Sequence, residues 1–262
     1  MTTPEPSGKA AGGSTRIVTR DVLAAAWSLF QVCWPACLPL AMVGVAASAT
    51  PRAEAVASGL TRDFLHSREW WGLCAAATLL VLICYGAVLR QQLQLAAGLR
   101  PLLLDSLRRA ARDVPYVLLL LLSCAVLFAP AAISTALRGF DAVALLLTVA
   151  GCALLVYVFP AWPALIARDL TPWAALGVSI AMVRGRWREY FGVIGILIVA
   201  VLVFILLAGI LVGMLMGLAG QGAAPTASGL AASRWLMAPV LAAPVVYTTA
   251  VAVVLYRAGQ PR

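Results

Sequence analysis

Six arginines carry the clearest chemistry in this chain. Arg108, Arg109 and Arg112 sit within little more than one helical turn, and Arg184, Arg186 and Arg188 cluster beside Trp187 and Tyr190. Guanidinium forks at such spacing suit phosphate, which they hold by paired, charge-assisted hydrogen bonds. At a bilayer surface each basic residue adds ~1 kcal/mol of attraction to anionic headgroups. Groups that would run a reaction are scarce. The one histidine, His66, lies in a polar stretch with only Asp63 and Glu69 near it, which reads as a solvated loop and not as a metal site. An enzyme would have to combine the second arginine cluster with Asp169 and Glu189, and no nucleophile motif or metal spacing accompanies them. No catalytic residue, cofactor or metal ligand is therefore assigned, and the reading is non-enzymatic.

The cysteines point the same way. They stand at positions 33, 37, 74, 84, 124 and 152, all inside apolar stretches, which argues against a secreted disulfide framework. Cys33 and Cys37 are four apart and share a helix face, but no histidine or polar partner stands near them in sequence. They read as small buried packing residues. Gly209, Gly213 and Gly217 repeat every four residues and form a smooth strip where another helix can come close. Packing within the chain is the favoured use of that strip, with homo-oligomerisation as the other.

Composition says what must position these residues. The 262 residues are 63% hydrophobic and 11% charged, with a mean hydropathy of +0.98. A soluble domain carries about a quarter charged residues and cannot hide so much apolar surface, so the excess faces lipid. The net charge of +9 is dispersed as short clusters between apolar runs. That pattern fits membrane topology and not a nucleic-acid groove.

The fold class that follows is all-α: a polytopic membrane protein with six transmembrane helices arranged as three hairpins. Residues 1–15 are polar and read as a disordered cytoplasmic tail, and 16–262 as a single transmembrane domain. The spans fall at about 31–49, 71–89, 115–135, 142–166, 191–218 and 235–255. About 20 apolar residues cross the hydrocarbon core, so the first just fits. Ala47-Ser48-Ala49 resembles a signal-peptidase site, but the long polar lead and Pro35 and Pro39 favour a retained, kinked span. No Asp, Glu, Lys, Arg or His falls inside these boundaries, which argues against a proton or ion relay.

Amphipathic interfacial helices precede spans 1, 3 and 5: Ile17–Phe30 capped by Thr19, Pro101–Arg112 begun by its proline after a stop at Gly98, and Pro172–Arg184 capped by Thr171 and stopped by Gly185. The outer connections are the polar loop Pro51–Trp70, the short linker Ala136–Asp141 and the Gly-rich loop Ala219–Ser233. Fourteen of the 19 Lys and Arg lie on the side holding both termini. The positive-inside rule makes that side cytoplasmic, in a multi-pass protein of a bacterial inner membrane.

The run Ala167-Arg168-Asp169, Pro172, Ala175-Leu176, Ser179 and Arg184-Gly185-Arg186-Trp187, followed by a long apolar span, resembles the membrane domain preceding the catalytic barrel of some bacterial glycerophosphoryl diester phosphodiesterases. Small stand-alone inner-membrane proteins share the pattern. The metal-binding carboxylate and histidine motifs of the barrel do not occur in this sequence, so the resemblance implies a membrane module and not phosphodiesterase activity. The functional expectation is a non-enzymatic lipid-binding or partner-binding membrane module. Its partners would be anionic lipid headgroups on the cytoplasmic side, and a membrane protein or second copy is the further candidate. A permease-like transporter or lipid translocator using proline-broken helices is the alternative.

Overall fold

The apolar runs fold as helices because a backbone in hydrocarbon must satisfy its own polar groups. The computed structural model describes residues 18–57, 67–138, 141–218 and 227–260, and every regular element among them is helical. They are α1 (Thr19–Ala57), α2 (Arg68–Ala96), α3 (Leu103–Arg138), α4 (Ala142–Val158), α5 (Ala161–Arg168), α6 (Pro172–Val183), α7 (Trp187–Leu218) and α8 (Ala227–Gly259). Five helical stretches are long and apolar enough to cross a membrane. A sixth is counted if α3, bent by 54° between Leu103–Ser123 and Phe128–Thr135, is one broken span. The N-terminal tail, His66, the centre of the linker at 139–140 and most of the Gly-rich outer loop lie outside the described residues.

Local chemistry explains most boundaries. Ser67 caps α2 by accepting from Trp70 N–H at 3.1 Å, and Asp141 caps α4 by accepting from Ala144 N–H at 2.8 Å. Thr171 accepts from Ala174 N–H at 3.4 Å, and Pro172 occupies the first turn of α6. Gly98 (φ +77°) and Gly185 (φ +84°) supply the left-handed turns after α2 and α6.

Two expected interfacial helices are not separate elements. Nothing between Phe30 and Gln31 stops a helix, so α1 runs unbroken from Thr19 through Pro35, Pro39 and Pro51 to Ala57. α3 likewise runs from Leu103 through Pro115. Both Pro115 and Ala111, whose carbonyl loses its helical donor to that proline, are exposed, so water can meet the freed group. Only α6 stands alone.

The last helix is the central one. Three buried clusters hold the bundle together, and α8 supplies residues to each: Ala250, Val251 and Leu255 against α1 and α7, Val253 and Tyr256 against α2, α3, α5 and α6, and Ala238, Ala242 and Val246 against α1 and α2. The α1–α8 seam is built of small residues at four-residue spacing, Cys33, Cys37, Ala41 and Val45 on one side and Ala238, Ala242, Val246 and Ala250 on the other. Such seams let backbones come close where lipid provides no hydrophobic drive. Cys33 and Cys37 are thus packing residues, as their sequence context implies. The apolar surface points outward: α7 has the most hydropathic membrane window, yet only 22% of it is buried, against 56% for α8.

Candidate interfacial anion site

The site begins where α2 changes character. Its last third reads Arg90-Gln91-Gln92-Leu93-Gln94, and successive residues on a helix point about 100° apart. Gln91 and Gln92 turn into the bundle. Cys37 Sγ donates to Gln91 Oε1 at 3.4 Å, and Gln92 Nε2 donates to Val246 C=O on α8 at 2.8 Å and approaches Cys33 Sγ at 3.6 Å. No polar partner stands near the cysteine pair in sequence. The fold supplies two, from a helix more than 50 positions away. This network locks the register of α2 against α1 and α8. Arg257, near the end of α8, adds a hydrogen bond to Ala96 C=O in the last turn of α2.

Arg90 turns the other way. Its Nε donates to Asp113 Oδ2 on α3 at 3.1 Å, its Nη2 binds the same oxygen, and Nη2 also donates to Asp169 Oδ1 at 3.2 Å. Arg90 lies within the membrane-length helix Arg68–Ala96 and its side chain is only 9% exposed. It lies one residue past the expected span boundary at Leu89, on a helix that continues unbroken to Ala96. A buried guanidinium is tolerable there because Asp113, equally buried, pairs with it.

Asp169 differs from Asp113. Its side chain is 79% exposed. Its backbone has φ 49° and ψ 44°, and among the described residues it is the one non-glycine with positive φ. A left-handed residue other than glycine costs ~1 kcal/mol, least for Asp and Asn. Here it closes α5, with Leu170 N–H bonding back to Leu165 C=O at 3.1 Å, and it aims a carboxylate at Arg90.

These groups open onto a cleft of about 950 Å³. Arg108, Arg109 and Arg112 from the first turns of α3 line it with Arg90, facing Asp105, Asp113 and Asp169. Leu165 and Leu170 add apolar surface, and Thr171 brings the N-terminus of α6 to the edge. The arginines are not equivalent. Arg90 is held by its two aspartates, and Arg109 pairs with Asp105 one turn earlier at 3.1 Å, a solvent-exposed contact worth a few tenths of a kcal/mol. Arg108 and Arg112 are exposed and have no ion-pair partner among the described residues. Beside them Leu102 (71% exposed) and Leu104 (80% exposed) stand out from the start of α3.

The fold therefore divides the six sequence-selected arginines. Arg108, Arg109 and Arg112 share the cleft. Arg184, Arg186 and Arg188 stand at the α6–α7 turn, outside its lining, where Trp187 stacks on Phe191 at 5.0 Å. At the glycine strip, expected to pack within the chain or against a second copy, a Cβ added at Gly209 or Gly213 meets nothing of this chain within 4 Å, and the surroundings of Gly217 lie outside the described residues. Close approach occurs elsewhere, at Gly44, where a Cβ would lie 2.5 Å from Tyr85 Cε1, and at Gly86, where it would lie 3.3 Å from Ala110 Cβ. Among the described residues no group of three or more His, Cys, Asp or Glu could hold a metal ion. No protein-family model, curated protein or solved structure matches the chain.

Proposed function

We propose that this integral membrane protein is a lipid-binding module of the bacterial inner membrane, with both termini cytoplasmic, and that its cleft holds the phosphate of an anionic headgroup. The carrying observation is the pair of exposed guanidiniums of Arg108 and Arg112, without ion-pair partners among the described residues, in a cleft on the helix from whose start Leu102 and Leu104 protrude. A headgroup would place its phosphate on the arginines while the leucines enter the acyl boundary, as amphipathic interfacial segments do. Arg184, Arg186 and Arg188 add a more diffuse attraction at the same membrane face. The likeness to stand-alone relatives of phosphodiesterase membrane domains fits a role without chemistry of its own.

The test is lipid retention by the full chain released from mixed-lipid nanodiscs, read by native mass spectrometry. R108Q/R112Q should lower retained phosphatidylglycerol about thirtyfold, the worth of roughly two interfacial basic residues, and R184Q/R188Q should lower it less. Equal retention by the parent and R108Q/R112Q would sink the proposal. Lipid translocation is the second reading, favoured by the break of the fourth span at Phe159–Pro160, since α5 beyond that break lines the cleft. Scrambling of labelled lipid by the reconstituted protein would choose it.

A further inference from the structure

The fourth cleft arginine is occupied by the protein's own carboxylate. Resting on the lipid-phosphate reading of the cleft, we propose that Asp169 stands in the place of an incoming phosphomonoester: such a group displaces the Asp169 carboxylate from Arg90 and is then held by Arg90, Arg108 and Arg112 together.

Three observations carry this. First, the two carboxylates on Arg90 have different tasks. Asp113 is buried on α3 and contacts Arg90 through Nε and Nη2, which is enough to keep the guanidinium neutralised inside the protein. Asp169 is exposed on a corner between two short helices and contacts Nη2 alone, at 3.2 Å. Losing it exposes no buried charge, because Asp113 remains. Second, the backbone at Asp169 is held in a left-handed conformation that a side chain disfavours. Glycine would close α5 without that cost, so the carboxylate is what the position gains. Third, Arg90, Arg108 and Arg112 all line one cleft, which Thr171 at the start of α6 also borders. α6 is a twelve-residue helix, and the positive end of its dipole favours an anion there.

The chemistry that fits is a terminal phosphate. A monoester carries about −1.5 to −2 charges at neutral pH and three acceptor oxygens. It can therefore exceed a single carboxylate at Arg90 while also meeting Arg108 and Arg112. A diester carries one charge and two free oxygens, and competes with Asp169 less well. The cleft should then prefer phosphatidic acid to phosphatidylglycerol, with Asp169 setting how strongly.

The experiment titrates the full chain in nanodiscs with phosphatidic acid or phosphatidylglycerol of identical acyl chains and reads retained lipid by native mass spectrometry. The parent protein should retain more phosphatidic acid. D169N, an exposed change that the left-handed backbone accepts equally well, should raise phosphatidic acid retention about three- to tenfold, the range for freeing one partly solvated charge-assisted contact, and phosphatidylglycerol less. E69Q removes a carboxylate outside the cleft lining, so it should leave the ratio of the two lipids unchanged. R90Q/D113N, which replaces both buried partners with neutral amides, should abolish the preference while Arg108 and Arg112 still retain phosphatidylglycerol. Glycerol 3-phosphate added as competitor separates sources: displacement of phosphatidic acid at millimolar levels assigns the site to soluble phosphomonoesters, and no displacement assigns it to lipid. Equal retention of the two lipids, or an E69Q shift in their ratio matching that of D169N, overturns this proposal. If R108Q/R112Q still lowers both lipids in that case, the lipid-phosphate reading survives. If neither lipid is retained by any variant, both readings fall.

Discussion

At the scale of single residues, Arg90 and Asp113 form one unit. Each is buried, and each is acceptable only because the other is there. Removing Asp113 leaves Arg90 with the exposed Asp169 as its only carboxylate, so D113A should cost roughly 3–5 kcal/mol. Replacing both with apolar residues of similar size, as in R90M/D113L, should recover most of that loss. Thermal melts in one detergent would read both, and a D113A protein as stable as the double variant would show that the pair carries no such dependence. The sequence hides this unit. Arg90 and Asp113 each stand at the edge of an apolar run, where a charge reads as a boundary marker, and Asp169 reads as part of a loop. Only the packing of α2, α3 and the α5–α6 corner brings them together. Arg108, Arg109 and Arg112 were legible because neighbours on one helix need no tertiary information to share a site.

At the scale of elements, α6 splints the break between α4 and α5. α4 ends at Val158, leaving its last carbonyls without helical donors. Ser179, fully buried on α6, donates its hydroxyl to one of them, Tyr157 C=O. S179A would strip that carbonyl of the hydroxyl and should lower stability by ~1–2 kcal/mol. Faster hydrogen exchange confined to 155–168 would locate the loss at the break, and an unchanged exchange profile would refute the splint. Element boundaries were legible where a stop or start is local. Thr171-Pro172 and the glycines at 98 and 185 do what their chemistry requires. Reading failed where membrane depth was taken as a helix boundary. A helix leaving hydrocarbon keeps its hydrogen bonds until a glycine or cap ends it, and even the exposed Pro115 does not end α3, so α1 and α3 absorb the segments ahead of their spans. The Phe159–Pro160 break needed Pro160 together with α6 packing across it, and α6 acts from 20 residues away.

At the scale of the whole molecule, the polarity of packing is reversed from that of a soluble bundle. The most hydropathic helix faces out, and the central helix is rich in alanine. Periodic glycine on α7 reads as a packing seam, yet Gly209 and Gly213 meet nothing else of this chain, whereas the seam in use within it is the alanine and cysteine series of α1 and α8. Hydropathy alone cannot tell these apart, because lipid and a neighbouring helix are equally apolar environments. The two surfaces should therefore answer oppositely to substitution. Ala242 is fully buried in the α1–α2–α8 cluster, and a leucine there must push helices apart, at about 1–3 kcal/mol. Leu206 on α7 is 64% exposed, and trimming it to alanine opens no internal cavity, because lipid fills the space. A242L should thus melt well below the parent protein, and L206A should melt with it, although the latter deletes apolar volume and the former adds it. The opposite ranking, with L206A the more damaging, would mean that α7 packs on a protein partner and that the α1–α8 seam is not what closes the bundle.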